Sequence, residues 1–213
     1  ISNLRRSRVT CTSTERSRPA PVRLAKSSRL TTSPGRAANT RKLIEEDVCA
    51  LFGYIATPTS VAALPLATNA KIPFVAPFTG AQVLRDPFNR YAFHVRASYF
   101  DETARIVNQL YAVGMKNIAV FYQNDAYGQA GLAGVQRALA AVNSKPVALG
   151  TVERNTVDVA AAVKAIVPAK PEGIVQISAY KSCAAFIREA RKAGAGGQFC
   201  NVSFVGTAAL AAE

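Results

Sequence analysis

Along the chain the apolar and polar positions change pattern near Asn39. Residues 39–47 have helical spacing, and the apolar run 48–55 predicts a buried strand directly after them. A helix over 61–70 follows, then a short strand over 72–76 whose prolines place it near an edge or at a strand start. Residues 91–95 predict another strand. In 101–113, Ala104, Val107, Leu110 and Tyr111 lie on one helical face, and Gly114 supplies the residue that ends a helix. Beyond it the alternation is regular: strand 118–122, helix 127–142, strand 147–152, helix 157–167, strand 173–177, helix 183–193 and strand 202–205. Strands alternating with helices of this kind build doubly wound parallel sheets, so the fold class is α/β.

Composition fits that reading. A chain of 213 residues, 49% hydrophobic and 18% charged, can bury a core as one large or two small domains. No uninterrupted apolar run is long enough to argue for a membrane span. The net charge of +13 is unevenly placed, since residues 1–36 hold nine of the 26 basic residues and one of the 13 acids. Residues 1–35, rich in Arg, Ser and Pro, show neither helical nor strand periodicity, and are expected to be disordered or an out-of-frame reading. Clustered arginines can neutralise phosphates, but no aromatic residue interleaves to stack on bases, so no nucleic-acid partner is expected. The chain opens on Ile1 without a basic and apolar leader pattern and is read as a fragment.

Chemistry-bearing residues are sparse. Four scattered cysteines form no C-x-x-C pair, a lone histidine excludes a multi-histidine metal site, and no phosphate or dinucleotide loop occurs; no metal or cofactor is expected. His94, between Phe93 and Val95, is expected to be a satisfied histidine rather than a base, and nothing resembles a catalytic set. In doubly wound sheets ligands sit beyond the carboxyl ends of the strands. There Thr57, Thr59 and Ser60 precede a helix; their hydroxyls and the first free amides could receive a carboxylate, or one of them could simply cap the helix. Phe78, Thr79 and Gly80 offer a ring, a hydroxyl and close backbone approach, though a plain turn explains the glycine equally well. Tyr127 and Tyr180 could each wall a cleft or be packing residues, and Asp125 is expected to cap the helix beginning near Tyr127.

Taken together these loops resemble a family. The run Asn39-Thr40-Arg41-Lys42-Leu43-Ile44-Glu45-Glu46-Asp47, then Ala50-Leu51-Phe52-Gly53 leading to Thr57-Pro58-Thr59, then Pro73-Phe74-Val75-Ala76-Pro77-Phe78-Thr79-Gly80-Ala81, resembles the first lobe of branched-chain amino-acid ABC transporter substrate-binding proteins. Ile118-Ala119-Val120-Phe121-Tyr122-Gln123-Asn124-Asp125-Ala126-Tyr127-Gly128 and Ser203-Phe204-Val205-Gly206 resemble the second lobe. The resemblance covers about residues 36–213. It implies a two-lobed periplasmic-binding-protein type 1, leucine-binding-protein-like fold, incomplete at both ends, with part of lobe 1 in 36–97 and part of lobe 2 in 98–213. It also implies a periplasmic location, no catalysis, and hinge closure on a branched-chain or related amino acid, small amide or aromatic carboxylate in an interlobe cleft. Delivery would be to ABC transporter permease subunits; a ligand-sensing domain of a receptor or regulator is the alternative on the same fold. By the same resemblance Thr57, Thr59 and Ser60 form the carboxylate loop, Phe78, Thr79 and Gly80 the next ligand loop, and Tyr127 and Tyr180 the contacts from the second lobe.

Two departures stand out. Leucine-type members place an acid after the Phe-x-Gly strand for the ligand's ammonium group, whereas this chain has Thr207-Ala208-Ala209. Either Asp101 or Asp125 substitutes, or the ligand has no free ammonium. The family's first strand, helix and strand also have no counterpart in residues 1–35, so the chain is expected to be poorly stable by itself.

Overall fold

A computed structural model describes residues 33–213; the disorder or frame-shift expected for residues 1–32 lies outside the described residues. Helix α1 spans Ser33–Glu45, so it starts inside the segment read as aperiodic. The described residues fall into two compact units. One holds those up to Thr79 together with Val83–Arg96, and the other holds Gly80–Gln82 with Ala97–Glu213. The division after Arg96 is one residue from the expected boundary, but Gly80–Gln82 goes with the second unit instead of the first.

In the first unit, β1 (Leu51–Phe52), β2 (Phe74–Val75) and β3 (Ala92–Phe93) form a parallel sheet in that order. β2 is therefore the central strand, not an edge. Pro73 and Pro77 flank it, so no missing amide interrupts the ladder, and the Pro73 carbonyl accepts from the Leu51 amide at 2.8 Å. Helix α2 (Thr57–Asn69) packs with α1 over one sheet face, where Leu51, Phe74, Ala63, Leu64 and Ala67 form the core. Thr40 of α1 hydrogen-bonds the Tyr54 hydroxyl at 2.9 Å, fixing that helix beside β1.

The second unit has four parallel strands: β4 (Ile118–Gln123), β5 (Leu149–Val152), β6 (Gly173–Ile177) and β7 (Gln198–Asn201), ordered β5-β4-β6-β7. Strand periodicity sends Ile118, Val120, Val175 and Ile177 to one face, beneath α3 (Tyr99–Ala112) and α4 (Ala126–Ala140). Ala119, Phe121 and Ile174 go to the other, beneath α5 (Ala160–Ile166) and α6 (Tyr180–Lys192). The sheet is thus covered on both faces, as a parallel sheet requires. Gly114 ends α3 with φ 86°, as its position predicts. The expected strand 202–205 is instead a turn, and β7 precedes it. Helix α7 (Thr207–Ala211) follows.

Candidate ligand-binding site

Each unit brings its candidate residues to the carboxyl ends of its strands. In the first unit, the parallel register pairs Leu51 with Phe74 and Phe52 with Val75, and a single bridge extends it to Ile55 and Phe78. The Phe78 amide donates to the Tyr54 carbonyl at 2.6 Å, and the Ala56 amide donates to the Phe78 carbonyl at 3.2 Å. That register sets the threonines after the two strands side by side: the Thr57 and Thr79 hydroxyls lie 2.7 Å apart, both buried.

The hydroxyl-rich segment is the first turn of α2, not a loop before it. Its N-cap is Ala56, which has no side-chain oxygen and makes no cap hydrogen bond. The capping alternative for Thr57, Thr59 and Ser60 therefore fails. The Ser60 hydroxyl donates backwards to the Ala56 carbonyl at 3.1 Å, so its proton is spent inside the helix. Thr59 is buried in the same turn. Ala56 has φ 75° and ψ 151°, a combination that glycine alone adopts easily; residue type gave no sign of this strain.

Phe78 remains well exposed, with the Arg96 guanidinium 4.2 Å over its ring. Gly80 makes a close backbone approach, as expected, but to its own chain. A Cβ there would meet Tyr99 Cδ1 and N at 2.8 Å and the Ala97 carbonyl at 2.9 Å, and the Gly80 carbonyl accepts from the Tyr99 amide at 2.7 Å.

In the second unit the strand order reverses between β4 and β6, since β5 lies on one side of β4 and β6 and β7 lie on the other. Such a switch point opens a crevice beyond the strand ends. Tyr127 begins one turn after β4 and Tyr180 begins α6 after β6, so both flank it. Their burial differs. Tyr180 is partly exposed, whereas Tyr127 is enclosed, its ring 4.7 Å from that of Phe204 and 5.5 Å from that of Tyr99. Its hydroxyl donates to the Ser178 carbonyl at 3.4 Å, and burial first, with the neighbouring Tyr99 next, pushes its pKa well above the ordinary tyrosine value.

Asp125 caps α4 as expected, accepting from the Tyr127 amide at 2.9 Å and the Gly128 amide at 3.1 Å. Gln123 donates to its other oxygen at 2.6 Å, and Arg154 lies 3.7 Å from it. Asp101 closes a capping box with Ser98, whose hydroxyl donates to it at 2.6 Å. His94 holds the Leu84 carbonyl at 3.0 Å through Nε2. Burial first, then Arg85, lowers its pKa, and the Leu84 contact opposes both. Ser178, which residue type alone did not mark, is fully buried, and its hydroxyl has no hydrogen-bond partner. Among the described residues no three His, Cys, Asp or Glu side chains gather as a metal site would need.

The sequence matches the family described as periplasmic binding protein over residues 31–213. The chain belongs to that family. No curated protein matches it. Among solved structures, it is similar to a possible leucine/isoleucine/valine-binding protein from Rhodopirellula baltica SH 1, at 36% identity and TM-score 0.78 over 84% of this chain and 50% of that one. A substrate-binding periplasmic protein from Ralstonia solanacearum is 28% identical, with TM-score 0.74 over 82% of this chain and 50% of its own. A branched chain amino acid ABC transporter protein from Thermus thermophilus, solved with bound valine, shares the fold at 21% identity and TM-score 0.73, covering 83% of this chain and 47% of that one. The chain thus spans about half the length of these relatives. Family and neighbours are substrate-binding proteins, not enzymes.

Proposed function

We propose that this periplasmic binding protein is the solute-binding component of an ABC importer in the periplasm. Its solute is a branched-chain or related amino acid, a small amide or an aromatic carboxylate, which it passes to membrane permease subunits. The observation that carries this reading is the start of α2: its N-cap is an alanine without a capping oxygen, and the paired Thr57 and Thr79 hydroxyls stand at that turn. A helix N-terminus carries a partial positive charge, which suits a carboxylate. Phe78 is an exposed ring in the first unit, and Tyr180 is an exposed ring in the second.

Thermal-shift screening against amino acids, small amides and aromatic carboxylates tests the proposal. A binding solute raises the melting temperature of the parent, by about 2.7 kcal/mol of added stability at a hundredfold excess over its Kd. Thr57→Ala and Tyr180→Ala lower that gain. The absence of a shift with every member of the panel would overturn the reading.

A further inference from the structure

Building on that reading, we propose that Gln176 is a positioning residue for the solute: from inside the second unit's sheet, its side-chain amide sets the first turn of α6 and with it the Tyr180 ring. β6 is buried at every residue, and Gln176 is its one polar side chain, fully buried. Its Nε2 donates to the Cys183 carbonyl at 3.3 Å, while Oε1 has no hydrogen-bond partner among the described residues. A buried acceptor left unpaired costs stability, and an apolar side chain of similar volume would avoid that cost. Packing alone therefore gives no reason for a glutamine here. The bond it does make leads to one place, the start of α6.

That start is held differently from the rest of the helix. The body of α6 is docked by apolar packing, where Phe186 stacks on Phe121 with ring centroids 4.2 Å apart and Ala190 is fully buried. The N-cap, Ala179, makes no cap hydrogen bond. Polar contacts tie the first turn instead. Besides the Gln176 bond, the Ser178 amide donates to the Cys183 sulfur. The Ser182 hydroxyl donates at 2.6 Å to the carbonyl of Thr156, which lies between β5 and α5. Tyr180 is the first residue of this turn and is partly exposed. A ring carried on an anchored turn needs less ordering when a solute arrives, so the anchor adds affinity without touching the solute.

Native-state hydrogen exchange and isothermal titration calorimetry on the full-length protein test this together. Gln176→Leu is expected to keep or raise the melting temperature, yet to speed exchange of the Cys183 and Ala184 amides about fivefold or more, with β4 unchanged. Unchanged exchange in α6 would overturn the inference and leave the solute-binding reading standing. The titrations use valine, leucine, phenylalanine, acetamide and benzoate. For any of these that binds the parent, Gln176→Leu is expected to weaken affinity about fivefold. In a Tyr180→Ala background the same change is expected to have no further effect, because the glutamine acts through that ring. An equal loss with and without the ring, or a loss that goes with a lower melting temperature, would make Gln176 a purely structural residue and overturn the inference. Should none of the five bind a parent that melts cooperatively, the solute-binding reading falls and this inference with it.

Discussion

At the scale of single residues, the strongest features are positions where backbone and side chain disagree. Ala56 sits where glycine belongs, immediately before the helix assigned to the carboxylate. Such a residue stores about 1–3 kcal/mol of strain, so Ala56→Gly is expected to stabilise the protein by about 1 kcal/mol in a denaturant titration. Two glycines give contrasting tests. A Cβ at Gly128 would lie 1.8 Å from the Gln123 carbonyl oxygen, whereas one at Gly114 meets nothing within 4 Å. Gly128→Ala is expected to cost about 3 kcal/mol or more through overpacking, and Gly114→Ala only about 1 kcal/mol through its positive φ. The glycine after Tyr127, readable in sequence only as part of a motif, is thus demanded by backbone crowding. His94 gives a pH signature. Its folded pKa is depressed, so the unfolded chain binds the proton more readily; stability is full above the ordinary histidine pKa of about 6.5 and falls as pH drops below it. Melts between pH 7.5 and 5 are expected to show that fall, and His94→Gln to flatten it.

At the scale of elements, the alternation of strand and helix was legible because β4, β5 and β6 are short, largely apolar and bounded by turns. β7 was not. Val202 and Val205 look like strand positions, yet they plug opposite faces at the end of the sheet, one in each core, while Glu102 pins the intervening Ser203. The ladder was instead decided by register, Gly173 opposite Gln198, which a propensity pattern does not carry. The same two-faced sheet settles whether Cys183 and Cys200 pair. Cys183 is buried in the core under α5 and α6, and Cys200 packs against the core under α3 and α4. With the sheet between them they cannot reach bonding distance. Mass spectrometry after mild oxidation is expected to find no Cys183–Cys200 disulfide. Burial also pushes the Cys183 thiol up to about 12, so native alkylation is expected to leave it unmodified while denatured protein labels fully.

At the scale of the whole molecule, the two units differ in how completely they are built. The second has helices over both faces of a four-stranded sheet. Among the described residues, the first has helices over one face, while Phe52 and Phe93 on the other are exposed. Local stability follows buried apolar contact, so amides of β4 and β6 are expected to exchange slowest and those of β1 to β3 much faster in native-state hydrogen exchange. Equal protection in the two sheets would contradict that ordering.

Residue order by itself determined the α/β class, the family resemblance and the neighbourhood of the candidate site. Hydrophobic period and turn chemistry are local, and ligand loops must follow strand ends. Only the tertiary structure decided how each candidate is packed and bonded there. Parallel register brought Thr57 to Thr79 across 22 positions, helix geometry turned the Ser60 hydroxyl back on Ala56, and packing enclosed Tyr127 while leaving Tyr180 partly exposed. The choice between capping and ligand binding, or between a packed ring and an open one, depends on atoms distant in the chain, which no local pattern encodes.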